Sequence, residues 1–305
     1  MINTFSLHPA VRENHVTIAD SIPGRGKIDP AKVRYFLINR HSPKRPLGFE
    51  FPNRIAKHFP QDEELFSRYL RSEQDAGVHQ LTSQILDSVP GGLTINVQVN
   101  RGIVDTNRIH VSNAIRNILA DGTPLSIKLE LAFIHRKIME LIRFFVDRLP
   151  PETPIIDLHS MEPFSTPDQP PLSPETIPAY LKAYKTRVLD DTTRRRTDIM
   201  TGTKGQPPVA DISTSNIIAQ ELEKAGINPA VNHPYDLGPI HGDYTTMLQR
   251  PGHVSAVDHL KTDLCKGSGE DCSFDTTHPI VDIGKIISMA DIYKEILARA
   301  LLAAA

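Results

Sequence analysis

Apolar and polar positions recur with a period of two in some stretches of this chain and near 3.6 in others, and the order of these stretches predicts the architecture. Residues 33–39, VRYFLIN, form a short β-branched and aromatic run, and 93–99, LTINVQV, alternates cleanly, so both read as strands. A third apolar run, PIIDL at 154–158, follows a double proline and reads as another strand. Such runs suit a sheet buried on both faces. Between them the period lengthens. Over 129–149, Ile134, Ile138, Leu141, Ile142, Phe145 and Leu149 share one helical face, and Pro150 and Pro151 stop the helix. Segment 213–225, STSNIIAQELEKA, opens on capping residues and ends at Gly226, which can take the left-handed conformation common at helix C-termini. From about Ile283 a last amphipathic helix follows. Strands alternating with helices of this length predict a single α/β domain over 1–305, a mostly parallel twisted sheet with helices on both faces.

Functional groups in such sheets collect at the carboxyl ends of the strands. The three runs finish in Arg40-His41-Ser42-Pro43, in Asn100-Arg101 followed by Asp105, Asn107 and Arg108, and in Asp157-Leu158-His159-Ser160. A lone histidine at such a place is more often a hydrogen-bonded structural residue than a ligand. Three parallel strand ends, however, open on one edge, so their polar groups form one cleft. Two histidines and a carboxylate from separate segments fit an open zinc site, with a fourth position left for water; the same donors also suit iron, cobalt or manganese. Asp157, two residues before His159, faces the same way along the strand and is placed to fix the imidazole tautomer. Arginine grips carboxylates by paired hydrogen bonds, so Asn107 and Arg108 point to an amino-acid-like substrate.

Composition narrows the partners. In 305 residues, 34 basic and 36 acidic side chains nearly balance, leaving no net field for polyanions or anionic lipid. Nucleic acid and membrane are therefore excluded as expected partners, while the oligomeric state is left open. The apolar stretches are shorter than the roughly 20 residues a membrane helix needs, and the first residues lack the basic and apolar regions of a secretory signal. These features predict a cytoplasmic protein in which Cys265 and Cys272 are reduced thiols in a loop. The proline-rich stretch 161–178, MEPFSTPDQPPLSPETIP, reads as a lid, a substrate loop or a stiff surface connection. The run Arg194-Arg195-Arg196 reads as a solvated helix face.

Taken together, these motifs resemble the N-formylglutamate amidohydrolases, relatives of the zinc carboxypeptidases. The resemblance covers most of 33–265 in the expected order. It starts with the strand-His-Ser turn at 33–42 and the acidic segment Asp75-Ala-Gly-Val-His79, then Arg101-Gly-Ile-Val-Asp105-Thr-Asn107-Arg108 and the helical Phe133-Ile-His135. Ile156-Asp157-Leu158-His159-Ser160-Met161 matches almost letter for letter, and Asn232-His-Pro234-Tyr235-Asp-Leu-Gly238 is similar to the family's Asn-x-Pro-Tyr-x-Gly-Gly.

Position by position, the resemblance implies a zinc-carboxypeptidase-like (phosphorylase/hydrolase-like) fold with one Zn2+ on His41, Asp75 and His159, Glu73 being the competitor of Asp75. Asn107 and Arg108 would bind the substrate carboxylate, Arg101 would hold or polarise the acyl end, and Tyr235 and Ser160 would line the pocket. The family's general base is a glutamate in a segment like Gln-Ile-Glu-Ile-Asn-Arg; here the matching stretch is Ser255-Ala-Val-Asp258-His259-Leu260, which leaves Asp258 or His259 for the role. The implied activity is zinc-dependent hydrolysis of an N-acyl amino acid, with N-formyl-L-glutamate and water giving formate and L-glutamate as the reference reaction. A zinc carboxypeptidase or γ-glutamyl peptide hydrolase is one alternative, and a non-catalytic metal- or ligand-binding relative is another.

Overall fold

Alternation along each central strand divides its side chains between two cores. In a computed structural model, which describes residues 8–22, 28–44, 48–164, 170–185, 195–235, 237–268 and 274–303, seven strands form one sheet. They are β1 Val16–Asp20, β2 Tyr35–Asn39, β3 Gly92–Val97, β4 Ile155–Met161, β5 Asp198–Met200, β6 Ala230–Val231 and β7 Val254–Leu260, in the order β1-β3-β2-β4-β7-β5-β6. The pairs β3-β2, β2-β4, β4-β7 and β5-β6 are parallel, and β1-β3 and β5-β7 are antiparallel. Phe36 and Ile38 of β2 pack with Leu131, Ile138 and Phe145 of the Leu125–Val146 helix on one face. Tyr35 and Leu37 pack on the other, against the helices Val78–Ser88, Ile212–Lys224 and Ile283–Ala303. Truncating one of these fully buried aliphatic side chains to alanine costs roughly 2–5 kcal/mol.

The expected elements are present with shifted ends. The first long helix begins at Leu125 rather than 129, directly after Pro124. The Ile212–Lys224 helix is capped by Asp211, whose carboxylate accepts from the Thr214 amide, and Gly226 beyond it has φ +83°. β4 runs three residues past Leu158 because it pairs in register with β7 from Ile155↔Val254 to Met161↔Leu260. That pairing carries His159 to the carboxyl edge, beside the ends of β2 and β3. Of the proline-rich stretch, 165–169 lies outside the described residues; its end enters the Ile177–Lys185 helix, which packs on the Glu63–Ser72 helix with the Tyr69 and Tyr180 rings 5.8 Å apart. Cys265 is a buried free thiol, and Cys272 lies outside the described residues. Among the described residues no helix is long and apolar enough to cross a membrane.

Candidate metal centre

The turn after β2 is built by Asn39, whose side-chain amide donates to the Ser42 carbonyl and accepts from the Ser42 amide, both at 3.0 Å. It fixes Arg40 and His41 at the strand end. The His41 carbonyl accepts from the Asp75 amide at 3.0 Å, drawing in the turn between two helices. Gly77 makes that turn possible: its φ is +87°, and a Cβ there would lie 2.5 Å from Leu264 Cβ. β4 brings His159 to the same point.

The three side chains meet with a consistent orientation. Asp75 Oδ2 is 3.4 Å from His41 Nδ1 and 3.0 Å from His159 Nδ1. The far nitrogens face other carboxylates: His41 Nε2 lies 3.0 Å from Asp105 Oδ1, and His159 Nε2 lies 3.2 Å from Asp157 Oδ1 and 3.3 Å from Asp243 Oδ1. A carboxylate behind each imidazole faces Nε2 and leaves Nδ1 beside Asp75, so that a metal bound there would take Nδ1 in place of a proton, which is how metal-binding histidines are oriented. The donor atoms lie within 4.8 Å of one another and all three residues are buried. The donor set and its orientation therefore fit a divalent metal.

A second group, Asp157, His159 and Asp243, is equally close-set. It already holds a cation. The guanidinium of fully buried Arg40 lies between its carboxylates, Nε 2.7 Å from Asp157 Oδ2 and 3.1 Å from Asp243 Oδ1, with Nη2 donating to Thr246 Oγ1 at 2.9 Å. Glu73 does not compete with Asp75 for the first group, because it accepts from Tyr180 Oη at 2.6 Å and pairs with Arg116 at 3.3 Å.

Electrostatics follow from burial and these pairings. Burial drives the His159 imidazole toward its neutral form, but Asp243, Asp157 and Asp75 outweigh burial and raise it well above the ordinary histidine range. Burial would raise the Asp105 carboxyl, yet the Arg101 charge and the His41 contact hold it well below the carboxylate range. Asp258 stands opposite His159 in the β4-β7 register, on the same side of the sheet. Burial raises its carboxyl to about 8; the His159 charge opposes the shift and the Asp75 charge adds to it.

His259, the other candidate base, points to the opposite face. It is fully buried with Nε2 2.8 Å from the hydroxyl of Tyr293 in the C-terminal helix, because neighbours on a strand alternate sides. The sequence left the base open between Asp258 and His259, and strand alternation puts only Asp258 on the His159 side of the sheet.

Asp75 opens into a pocket of about 230 Å³ lined by the cations Arg101, Arg108, Arg116, Arg195 and Lys261 and by the carboxylates of Glu73 and Glu162. Arg101 joins centre and pocket, with Nη1 3.4 Å from both His41 Nδ1 and Asp75 Oδ1. Tyr235 and Ser160 stand in the wall; the Tyr235 hydroxyl accepts from Arg195 at 3.3 Å, and the Ser160 hydroxyl is committed to the Ala76 carbonyl at 3.0 Å. Arg195 precedes β5 in this wall, not on a solvated helix face, and Arg194 lies outside the described residues. Arg108 is held by its own carbonyl, 2.7 Å from His135 Nε2. Asn107 stands behind the wall, its amide paired with Asp243. Arg40 and Asp243 were missed by motif reading. The arginine directly before His41 was a usable signal for Arg40, whereas nothing around Gly242-Asp243 marks the aspartate.

Comparison with solved structures bears on the fold. The N-formylglutamate amidohydrolase from Ralstonia eutropha JMP134 superposes with a TM-score of 0.53 at 14% identity, covering 95% of this chain and 96% of that one. The chain has the N-formylglutamate amidohydrolase fold. A gene product from Agrobacterium tumefaciens is similar to the same extent, with a TM-score of 0.52, 14% identity and 95% of each chain covered. No protein-family model matches the chain, and no curated protein sequence does. The amidohydrolase fold is thus shared over nearly the full length while most side chains differ.

Proposed function

We propose that this chain is a divergent N-formylglutamate amidohydrolase that cleaves the amide bond of a small N-acyl amino acid. N-formyl-L-glutamate plus water giving formate and L-glutamate is the reference reaction. One observation carries the reading: two imidazole Nδ1 atoms and Asp75 Oδ2 converge, each imidazole backed by a carboxylate, at the edge of a small cationic pocket. Zinc held by His41, Asp75 and His159 would polarise the amide carbonyl and acidify a water molecule. Arg108 binds the substrate carboxylate, backed by Asn107, whose carbonyl accepts from Arg108 Nη1 at 3.4 Å, and its fork geometry orients the amide toward His41 and His159. Arg101 stabilises the negative charge that develops on the carbonyl oxygen. Asp258, opposite His159 on the same side of the sheet, takes the proton from water and returns it to the departing amine.

A pocket of about 230 Å³ lined by five cations suits a small anionic N-acyl amino acid, and the length of substrate accepted separates this reading from a carboxypeptidase or γ-glutamyl peptide hydrolase. Two measurements test the proposal. His159→Ala is expected to lose bound zinc, and the wild type is expected to turn over an N-formyl or N-acetyl amino acid in preference to γ-glutamyl peptides. A His159→Ala protein that keeps its metal, or a wild type inert toward every N-acyl amino acid, would overturn it.

A further inference from the structure

We infer that Asp243 is a positioning residue that couples the substrate-carboxylate clamp to the metal centre, so that each site strengthens the other. The inference rests on the reading of the site given above. Asp243 is fully buried near the start of the Gly242–Gln249 helix and divides its carboxylate between the two sites. Oδ1 faces the metal side, 3.3 Å from His159 Nε2. Oδ2 faces the clamp side, accepting from Asn107 Nδ2 at 2.7 Å.

The clamp side is over-determined. First-turn amides of a helix have no partner within the helix, and here two of them grip Asn107: the Asp243 amide donates to Asn107 Oδ1 at 3.0 Å and the Gly242 amide to the Asn107 carbonyl at 3.1 Å. These contacts orient the Asn107 amide uniquely. The approach is close because residue 242 is glycine; a Cβ there would lie 3.0 Å from the Thr106 carbonyl oxygen and 3.1 Å from Asn107 Oδ1. Arg40 compensates the buried charge at 3.1 Å, without which an isolated carboxylate would be strongly unfavourable.

The coupling follows from this shared carboxylate. When His159 Nδ1 is ligated the ring is locked in place, and its Nε2–H then fixes Asp243 Oδ1; a fixed carboxylate in turn fixes Asn107. Linkage makes the effect reciprocal, so a clamp held in place raises metal affinity by the same factor. Among the described residues the Asn107 side chain hydrogen-bonds to none of His41, Asp75 or His159 and reaches the metal side through Asp243. Its backbone amide donates to Asp105, which faces His41, and that contact is kept when the side chain is truncated.

The test is zinc affinity without substrate, measured by competition with a chromophoric chelator on wild type, Asn107→Ala, Asp243→Asn and the double variant. It is paired with calorimetric titration of N-formyl-L-glutamate into the metal-free proteins. Asp243→Asn is expected to weaken zinc by about 10–100-fold. Asn107→Ala is expected to weaken it by about 5-fold or more, with no further loss when added to Asp243→Asn. Asp243→Asn is also expected to weaken N-formyl-L-glutamate binding by about 5-fold or more in the absence of metal. Zinc affinity of Asn107→Ala within about two-fold of wild type, or additive losses in the double variant, would overturn the coupling. Should Asp243→Asn fail to fold, the Asn107→Ala measurement decides alone. A wild type that binds neither zinc nor N-formyl-L-glutamate overturns the functional reading and this inference with it; a wild type that binds both while Asn107→Ala keeps its zinc affinity overturns only the coupling.

Discussion

Asp258 and His259 are consecutive on β7 and face opposite sides of the sheet, so one residue step decides their chemistry. Asp258→Asn keeps the shape and removes the proton acceptor; kcat for N-formyl-L-glutamate is expected to fall by about 10²–10⁴-fold with bound zinc retained, and a loss under about ten-fold would assign the base elsewhere. His259→Gln is expected to keep kcat and to alter stability instead. Burial lowers the His259 imidazole to about 3, whereas in the unfolded chain it titrates near 6.5. Between these values the unfolded chain takes up a proton that the folded one refuses. The contribution is thus present above about pH 6.5 and lost as pH falls toward 3, with a slope approaching about 1.4 kcal/mol per pH unit. Denaturant titrations between pH 4 and 7 should show a shallower acid loss for His259→Gln than for wild type, and equal slopes would place a proton on the buried ring. None of this was visible as letters, because Asp-His in a run of seven reads equally well in either register until the pairing with β4 is known.

Elements differ in how plainly the chain announces them. β2, β3 and the start of β4 carry unbroken apolar or alternating runs, and their polar endings stand out against them, so His41, Arg101, Asn107, Arg108 and His159 were legible from pattern alone. β7 hides because Ser255, Asp258 and His259 interrupt its apolar positions, and its full burial comes from neighbours on both sides. β5 and β6 have three and two residues, too few for any period. The Gly242–Gln249 helix is short, and its first turn packs on the Thr106-Asn107 backbone, not on the apolar core, so no hydrophobic stripe marks that contact. Gly242→Ala tests its importance at this scale. The new Cβ would press on the Thr106 carbonyl at 3.0 Å and on Arg40 Nη1 at 3.2 Å, displacing the helix start from Asn107. Because small misplacements of positioning groups cost up to about 10²-fold in rate, kcat/KM is expected to drop by roughly 10-fold or more. The loss should fall mainly on KM while the thermal midpoint moves little, and an unchanged KM would mean that the clamp does not depend on this helix.

Over the whole molecule charge nearly cancels, with a formal net of −2, yet the wall of one pocket gathers Arg101, Arg108, Arg116, Arg195 and Lys261. A count of basic and acidic residues therefore could not reveal that the cations are concentrated where a small anion would enter. Part of that charge is already committed: Arg116 pairs with Glu73 and Lys261 with Glu162, while Arg195 meets the Tyr235 hydroxyl and has no carboxylate within ion-pair distance among the described residues. A field of this kind acts on encounter and binding, and salt screens it over about 8 Å at physiological ionic strength. The pocket holds about 230 Å³, so charge and size act together on substrate choice. For N-formyl-L-glutamate, KM is expected to rise as salt increases from about 0.01 to 1 M while kcat stays level, because the Debye length shrinks from ~30 to ~3 Å across that range. Lengthening the acyl group from formyl through acetyl to a peptide should lower kcat/KM at each step at fixed salt, since the wall cannot retreat without breaking the Arg116–Glu73 and Lys261–Glu162 pairs. A salt-independent KM, or a peptide cleaved as fast as the formyl compound, would mean that the substrate does not bind between these residues and would move the search for it to another face of the protein.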